Sequence, residues 1–285
     1  MLRQIGFELF KMSRRPRTYL GYSAFLLINI CVMLGLKYGH METISTHEMN
    51  RSSFGVVGSP VNAEFMAWMV TGSPIASMIL IMFMPFFVCL VFGEIFGGEV
   101  ADGTLRTVLA RSVSRVSFFA AKFFASLIYA ITLPFFLCVS AYLIGLVFFG
   151  HGGLMATGTF EHPMLAWYSE GAALWRLALG CLLICAGATT VGMVAFFISS
   201  WLNNSLGAIG GAIMLLFAMA IVGAIPYFKP IQDYLFSTHL LVGQKAFIDP
   251  IPWHEIWIAL RCLGAYTASF FVISLLIFKR KDVLA

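Results

Sequence analysis

Six apolar runs, near 18–38, 74–96, 118–149, 172–200, 206–226 and 255–278, each reach the roughly twenty residues that one crossing of a bilayer requires. Hydrocarbon offers no partner to backbone polar groups, so runs of this length imply helices. The reading is an all-α polytopic membrane protein with six transmembrane helices in a single domain over 1–285. Charged residues are only 11% of the chain, against about 25% in a soluble domain. Such a chain cannot cover a water-facing surface with ionic groups, and the lipid bilayer is its first partner. Its net charge of +5 is then a matter of where the bases lie, with no nucleic acid implied.

Local signals mark the ends of these runs. Ser73 and Pro74 read as the cap and first residue of the second span. Pro85 and Pro134 fall inside the second and third, where kinks are expected. A tight polar turn, 199–205, separates the fourth from the fifth. Residues 1–17 form an apolar stripe of Leu2, Ile5, Leu9 and Met12 against Arg3, Glu8, Lys11, Arg14, Arg15 and Arg17, the pattern of a helix lying in a membrane interface. A cleavable signal peptide is the rival, but the run that follows is long enough to span and lacks a clean small-x-small site.

Bases fix the expected orientation. Arg3, Lys11, Arg14, Arg15 and Arg17 precede the first span; Arg106, Arg111, Arg115 and Lys122 lie between the second and third; Lys279, Arg280 and Lys281 follow the last. Six crossings put all of these on one side, with both termini cytoplasmic in a multi-pass inner or plasma membrane, expected to be bacterial. Segments 39–73, 150–171 and 227–254 then lie outside. In the last, prolines at 226, 230, 250 and 252 bracket an apolar piece too short to cross. It reads as a short helix pair re-entering the outer leaflet before span six.

The stretch from Gly93 to Lys122 carries Glu94, Glu99 and Asp102, then four bases. Leu105, Val108, Leu109, Val113 and Val116 fall at helical spacing, with bases on the other face. Asp102 or Thr104 can cap that helix, and Arg111 and Arg115 sit near its end, where the helix dipole favours cations. A short charged amphipathic helix on the cytoplasmic face is a docking element. The chain has no phosphate-binding loop of the Gly-Lys-Ser/Thr kind, so a nucleotide that drives it must sit on another chain.

Other candidates carry less. All six histidines lie in outer segments without helical ligand spacing, and no metal site is assigned. Cys181 and Cys185 share a helix face but read as small apolar residues. Arg176 and Arg261, a turn or two inside their spans, either snorkel to the interface or serve a pathway or helix pairing; Asn29 is a further polar group at membrane depth. Gly207 and Gly211 form a small-xxx-small pair that permits close helix approach.

Glu99-x-x-x-Gly103-Thr104-Leu105, with Leu109, Ser114-Arg115 and Lys122, resembles the membrane subunits of type-2 ATP-binding-cassette exporters. Arg14-Arg15-Pro16-Arg17 and the basic tail after Phe278 fit as well, so the likeness covers the whole chain. Ser112 stands where the family often has proline. The resemblance implies that 97–116 holds a coupling helix seated on a cytoplasmic ATPase, with Glu94, Glu99, Asp102, Gly103, Thr104, Leu105, Arg106, Leu109, Arg111 and Arg115 as the coupling residues. It implies two ATPase subunits carrying ATP and Mg, and a second permease, identical or paralogous. The chain itself would bind no cofactor and catalyse nothing. It would line a path for a hydrophobic or amphipathic cargo such as a lipid, peptide or drug. The rival reading is a stand-alone secondary transporter or channel, which calls for mid-span ionisable groups and inverted repeats. An intramembrane enzyme is a third.

Overall fold

The computed structural model describes residues 2–38, 82–101, 114–149, 154–157, 165–202 and 204–280. The elements are α1 (Leu2–Ser13), α2 (Pro16–Tyr38), α3 (Met84–Ala101), α4 (Arg115–Phe149), strands β1 (Leu154–Thr157) and β2 (Leu165–Tyr168), then α5 (Glu170–Leu202), α6 (Ser205–Ala224), α7 (Lys229–Gln232) and α8 (Trp253–Arg280). Among the described residues, α4, α5, α6 and α8 are each long and apolar enough to cross a membrane.

Local chemistry sets the boundaries. Pro16 cannot continue α1, and Thr18 Oγ1 turns back to donate to the Met12 carbonyl at 2.8 Å. Ser114 accepts from the Ser117 amide at 3.2 Å and starts α4. Asn204 accepts from the Leu206 amide at 3.1 Å and starts α6, which makes the expected tight turn between α5 and α6.

Helix α5 is the axis of the bundle: 72% of its most apolar window is buried inside the chain, against 11% for α8. It packs on α3, α4, α6 and α8. The core at one end of the bundle is aromatic. Phe96 lies 5.1 Å from Phe196 and 5.2 Å from Phe278 between ring centres, and Phe119 lies 5.3 Å from Phe196. Four helices thus meet on one cluster of rings, each pair adding about 0.5–1.5 kcal/mol beyond its buried area.

The all-helical class holds, with one addition: the short strands β1 and β2 pair antiparallel, Leu154 opposite Tyr168. Strands of four residues are too short to register in the long hydropathy windows that find spans. Segment 227–254 is not a helix pair. It is three 3₁₀ turns (Pro226–Phe228, Phe236–His239, Val242–Phe247) around the four-residue α7. Pro85 is the second residue of α3, directly after a π turn at 82–83, and the residues of the second run before 82 lie outside the described ones. And α3 runs five residues past its expected end at 96, which carries Glu99 within the helix.

Candidate functional site

Helices α1, α3 and α4 converge at the aromatic end of the bundle on a buried set of charges. Lys122 is fully buried one turn after Phe118. A lysine at such a depth must fill its three donors or lose its proton. Its Nζ donates to the Ile95 carbonyl at 2.9 Å and faces Glu99 Oε2 at 2.8 Å and Glu8 Oε2 at 3.4 Å. The ammonium also lies 4.9 Å from the Phe118 ring and 5.5 Å from Phe96. Glu99 pairs in addition with Lys11 of α1, and Glu94 with Arg17 at the start of α2. Lys11 sits 3.7 Å from Glu8 on its own helix. Three carboxylates and three of the surrounding cations are thus mutually compensated, with Arg15 at the edge of the same pocket. Burial, and then the neighbouring Lys122 charge, pull the Lys11 ammonium down to about 8, with Glu8 opposing.

The second half of α3 is locked from its other side. Ser199 Oγ of α5 donates to the Gly93 carbonyl at 2.6 Å and accepts from the Gly97 amide at 3.2 Å. A β-carbon on Gly97 would stand 2.7 Å from Ser205 Cα and 2.8 Å from the Asn204 carbonyl carbon, so only glycine admits the α5–α6 turn here. At Gly93 it would meet Ile209 Cγ1 at 2.7 Å. Gly93 and Gly97, one helical turn apart, thus form a close-packing pair. Gly211 makes an ordinary 3.4 Å contact with Ile198, and the nearest neighbours of Gly207 belong to its own turn.

Glu94 and Glu99 were expected to face a partner; the structure turns both inward, because Lys11, Arg17 and Lys122 reach them from α1, α2 and α4. Arg115 is exposed at the head of α4 and donates to the Lys279 carbonyl at 3.4 Å. Asp102, Gly103, Thr104, Leu105, Arg106, Leu109 and Arg111 lie outside the described residues. Glu8, Lys11, Arg17 and Lys122 were not singled out as site residues. The available signal was Lys122 itself, alone in an apolar run and in need of a carboxylate.

At the opposite end, Arg176 is buried near the start of α5. It donates to the Ala246 carbonyl at 3.0 Å, the Ile248 carbonyl at 2.8 Å and Asp249 Oδ1 at 3.0 Å. These bonds hold the 3₁₀ turns against α5. Gly243 fits the same notch, where a β-carbon would stand 3.0 Å from the Gly180 carbonyl. Arg261 is exposed on α8. Asn29 joins α2 to α4 through Ser140 Oγ at 2.8 Å. Between α4 and α5 an apolar groove of about 630 Å³ is lined by Phe135, Tyr142, Leu177, Leu182 and the thiols of Cys138 and Cys181. Among the described residues no three histidines, cysteines or acids gather closely enough to hold a metal.

Comparison with known proteins gives a relative in Bacillus subtilis (strain 168), "Uncharacterized protein YhcI", 25% identical over 253 residues, which are 87% of this chain and 78% of that protein. Residues 19–284, nearly the whole chain beyond α1, match the family described as "Protein of unknown function (DUF2705)", and the chain belongs to that family.

Proposed function

We propose that the chain is the membrane subunit of an ATP-driven exporter, crossing the bilayer six times, with α2 and α3 joining α4, α5, α6 and α8 as spans. The bases of α1, the head of α4 and the tail of α8 gather at one end, which supports a cytoplasmic placement for that end. The observation that carries the reading is the fixing of the two helix ends that flank the 102–113 segment. Glu99, three residues before it, is fixed by Lys11 and Lys122, while Gly97 is wedged against the α5–α6 turn. Beyond it, Arg115 ties the head of α4 to the end of α8. A push on a segment mounted this way passes into α1, α3, α4 and α5 together.

In this reading Glu94 and Glu99 are positioning residues for the mount. Arg106 and Arg111 are assigned to contact with a cytoplasmic ATPase, which would hold the ATP and Mg. The groove of about 630 Å³ between α4 and α5 has walls of hydrocarbon and sulfur, which suits a hydrophobic or amphipathic cargo. A second permease completes the path.

The test is purification in mild detergent. The expected result is a co-purifying protein with a phosphate-binding loop whose ATP hydrolysis depends on this chain. Arg106→Glu with Arg111→Glu should release it while the permease stays monodisperse. An intact permease that retains no such ATPase, or transports cargo on an ion gradient alone, would overturn the reading in favour of a secondary transporter.

A further inference from the structure

Helix α1 buries charge beside its half-buried apolar side chains Ile5, Leu9 and Met12. A helix on a protein surface turns its apolar stripe inward and its charges out. Here Glu8 is buried and Lys11 half-buried against α3 and α4, and Gln4 accepts from Ser117 Oγ at 2.6 Å. The opposite stripe, at i, i+4, i+7 and i+11, is Arg3, Phe7, Phe10 and Arg14. Phe7 is 63% and Phe10 57% exposed, and the Arg14 guanidinium lies 5.1 Å from the Phe10 ring. Of the acids of α1, Glu8 alone is present, and it points inward. So the outward face is two aromatic rings bracketed by two cations, with nothing on it to repel an anion.

The occupant must be apolar at its centre and anionic at its rim. Only Arg14 and Arg15 separate α1 from α2, a helix of 23 residues. With α2 as a membrane span, α1 lies within a few residues of the headgroup layer. A twelve-residue helix there can sink two phenylalanines into the acyl boundary while its arginines meet phosphate. We infer that the Arg3–Phe7–Phe10–Arg14 face of α1 is a docking surface for anionic phospholipid. Its inner face holds Glu99, so lipid on the outside braces the end of α3. This rests on the membrane placement of α2 and on no property of an ATPase.

The experiment uses the full chain alone, purified in detergent, with thermal unfolding followed as lipid is titrated. Short-chain phosphatidylglycerol should raise the Tm at concentrations where phosphatidylcholine and free glycerol phosphate do not. Arg3→Gln and Arg14→Gln should each weaken the apparent affinity about fivefold, the worth of one basic side chain near an anionic surface. Phe7→Ser with Phe10→Ser should weaken it too, and Arg3→Lys with Arg14→Lys should keep most of it. These side chains point outward, so the lipid-free Tm should hold. Equal response to phosphatidylcholine overturns the anionic preference. Equal response to glycerol phosphate makes the site one for free phosphate. A full response in the arginine-to-glutamine variants moves it off α1, and an acidic protein that displaces the lipid makes the face a protein interface. A missing ATPase leaves each of these outcomes readable.

Discussion

The two ends of the bundle keep a buried cation by different means. Lys122 is held by side chains from other helices, Glu8 of α1 and Glu99 of α3, with one carbonyl. Arg176 is held chiefly by the carbonyls of residues 246 and 248, with one partly exposed carboxylate. Carboxylates can change protonation and partner; carbonyl dipoles cannot. The first arrangement ties three helices through exchangeable ion pairs, whereas the second staples a turn-rich segment to the bundle axis. Arg176 and Ser199 are 23 residues apart on α5, roughly 35 Å along one helix, so the two devices share a rigid axis but no side chain.

The sharpest way to break this contrast is to remove the cation at the first end. Lys122→Met leaves Glu8 and Glu99 with Lys11 as the one lysine between them, and losing one member of a buried ion pair costs about 3–5 kcal/mol. The expected outcome is loss of monodisperse protein in detergent. The double variant with Glu99→Gln should recover part of the yield, since one of the stranded carboxylates becomes neutral. Yield unchanged in the single variant would mean that the network contributes little. Next in size is Gly97→Ala, whose new methyl group must displace backbone of the α5–α6 turn. Overpacking of that kind costs about 1–3 kcal/mol, read as a lowered Tm. Gly210→Ala is the control, since a β-carbon there meets nothing within 4 Å.

How much of this was legible differs by scale. The helices match the six apolar runs closely where they are described, because hydropathy over twenty residues depends on composition and not on neighbours. Glu94 and Glu99 were picked out as important, yet their direction was missed. The charges of 1–17 and of 93–122 read as two separate surfaces, although Lys11 and Arg17 complement Glu99 and Glu94 across some eighty residues of chain. The partner of Lys122, Glu8, is 114 residues away, and no local period reports that. In α1 the stripe of Leu2, Ile5, Leu9 and Met12 reads as the face of an interfacial helix, with Glu8 and Lys11 on its polar side; Glu99 on α3 and Lys122 on α4 are what draw Glu8 and Lys11 inward. The Gly93–Gly97 contact was hidden because both glycines stand in a run rich in glycine; Ser205 on another helix is what singles them out.

At the second end the expected effect is local. Arg176→Gln loses the charge and the fork that reaches two carbonyls, at about 1–3 kcal/mol for the groups left unpaired. Because the two carbonyls and the carboxylate that Arg176 meets lie within 246–249, opening of that segment should rise while the aromatic end stays closed. Amide hydrogen exchange over 242–249 should speed up roughly tenfold or more, with exchange in the second half of α3 unchanged. Acceleration in α3 as well would show that the two ends are coupled through α5, and would remove the distinction between a staple and a relay.

The smallest effect separates the ends by proton chemistry. Lys11 sits among Glu8 on its own helix, Glu99 from α3, Lys122 from α4 and Arg15 beside it. In the fold its ammonium is drawn down to about 8 from the ordinary 10.5, by burial first and by Lys122 second. Between these two values the unfolded chain holds a proton that the folded chain has released. Stability therefore gains from this group as pH rises through that window, and below about 8 the cost of keeping the buried ammonium charged is present in full. In Lys11→Met the gain should vanish, so the difference in Tm between wild type and variant should shift in favour of wild type from pH 8 to pH 10. The same titration in Arg176→Gln should run parallel to wild type, since carbonyl acceptors do not titrate. If the Lys11→Met curve runs parallel too, the ammonium is not under strain from its neighbours, and the first end is as insensitive to pH as the second.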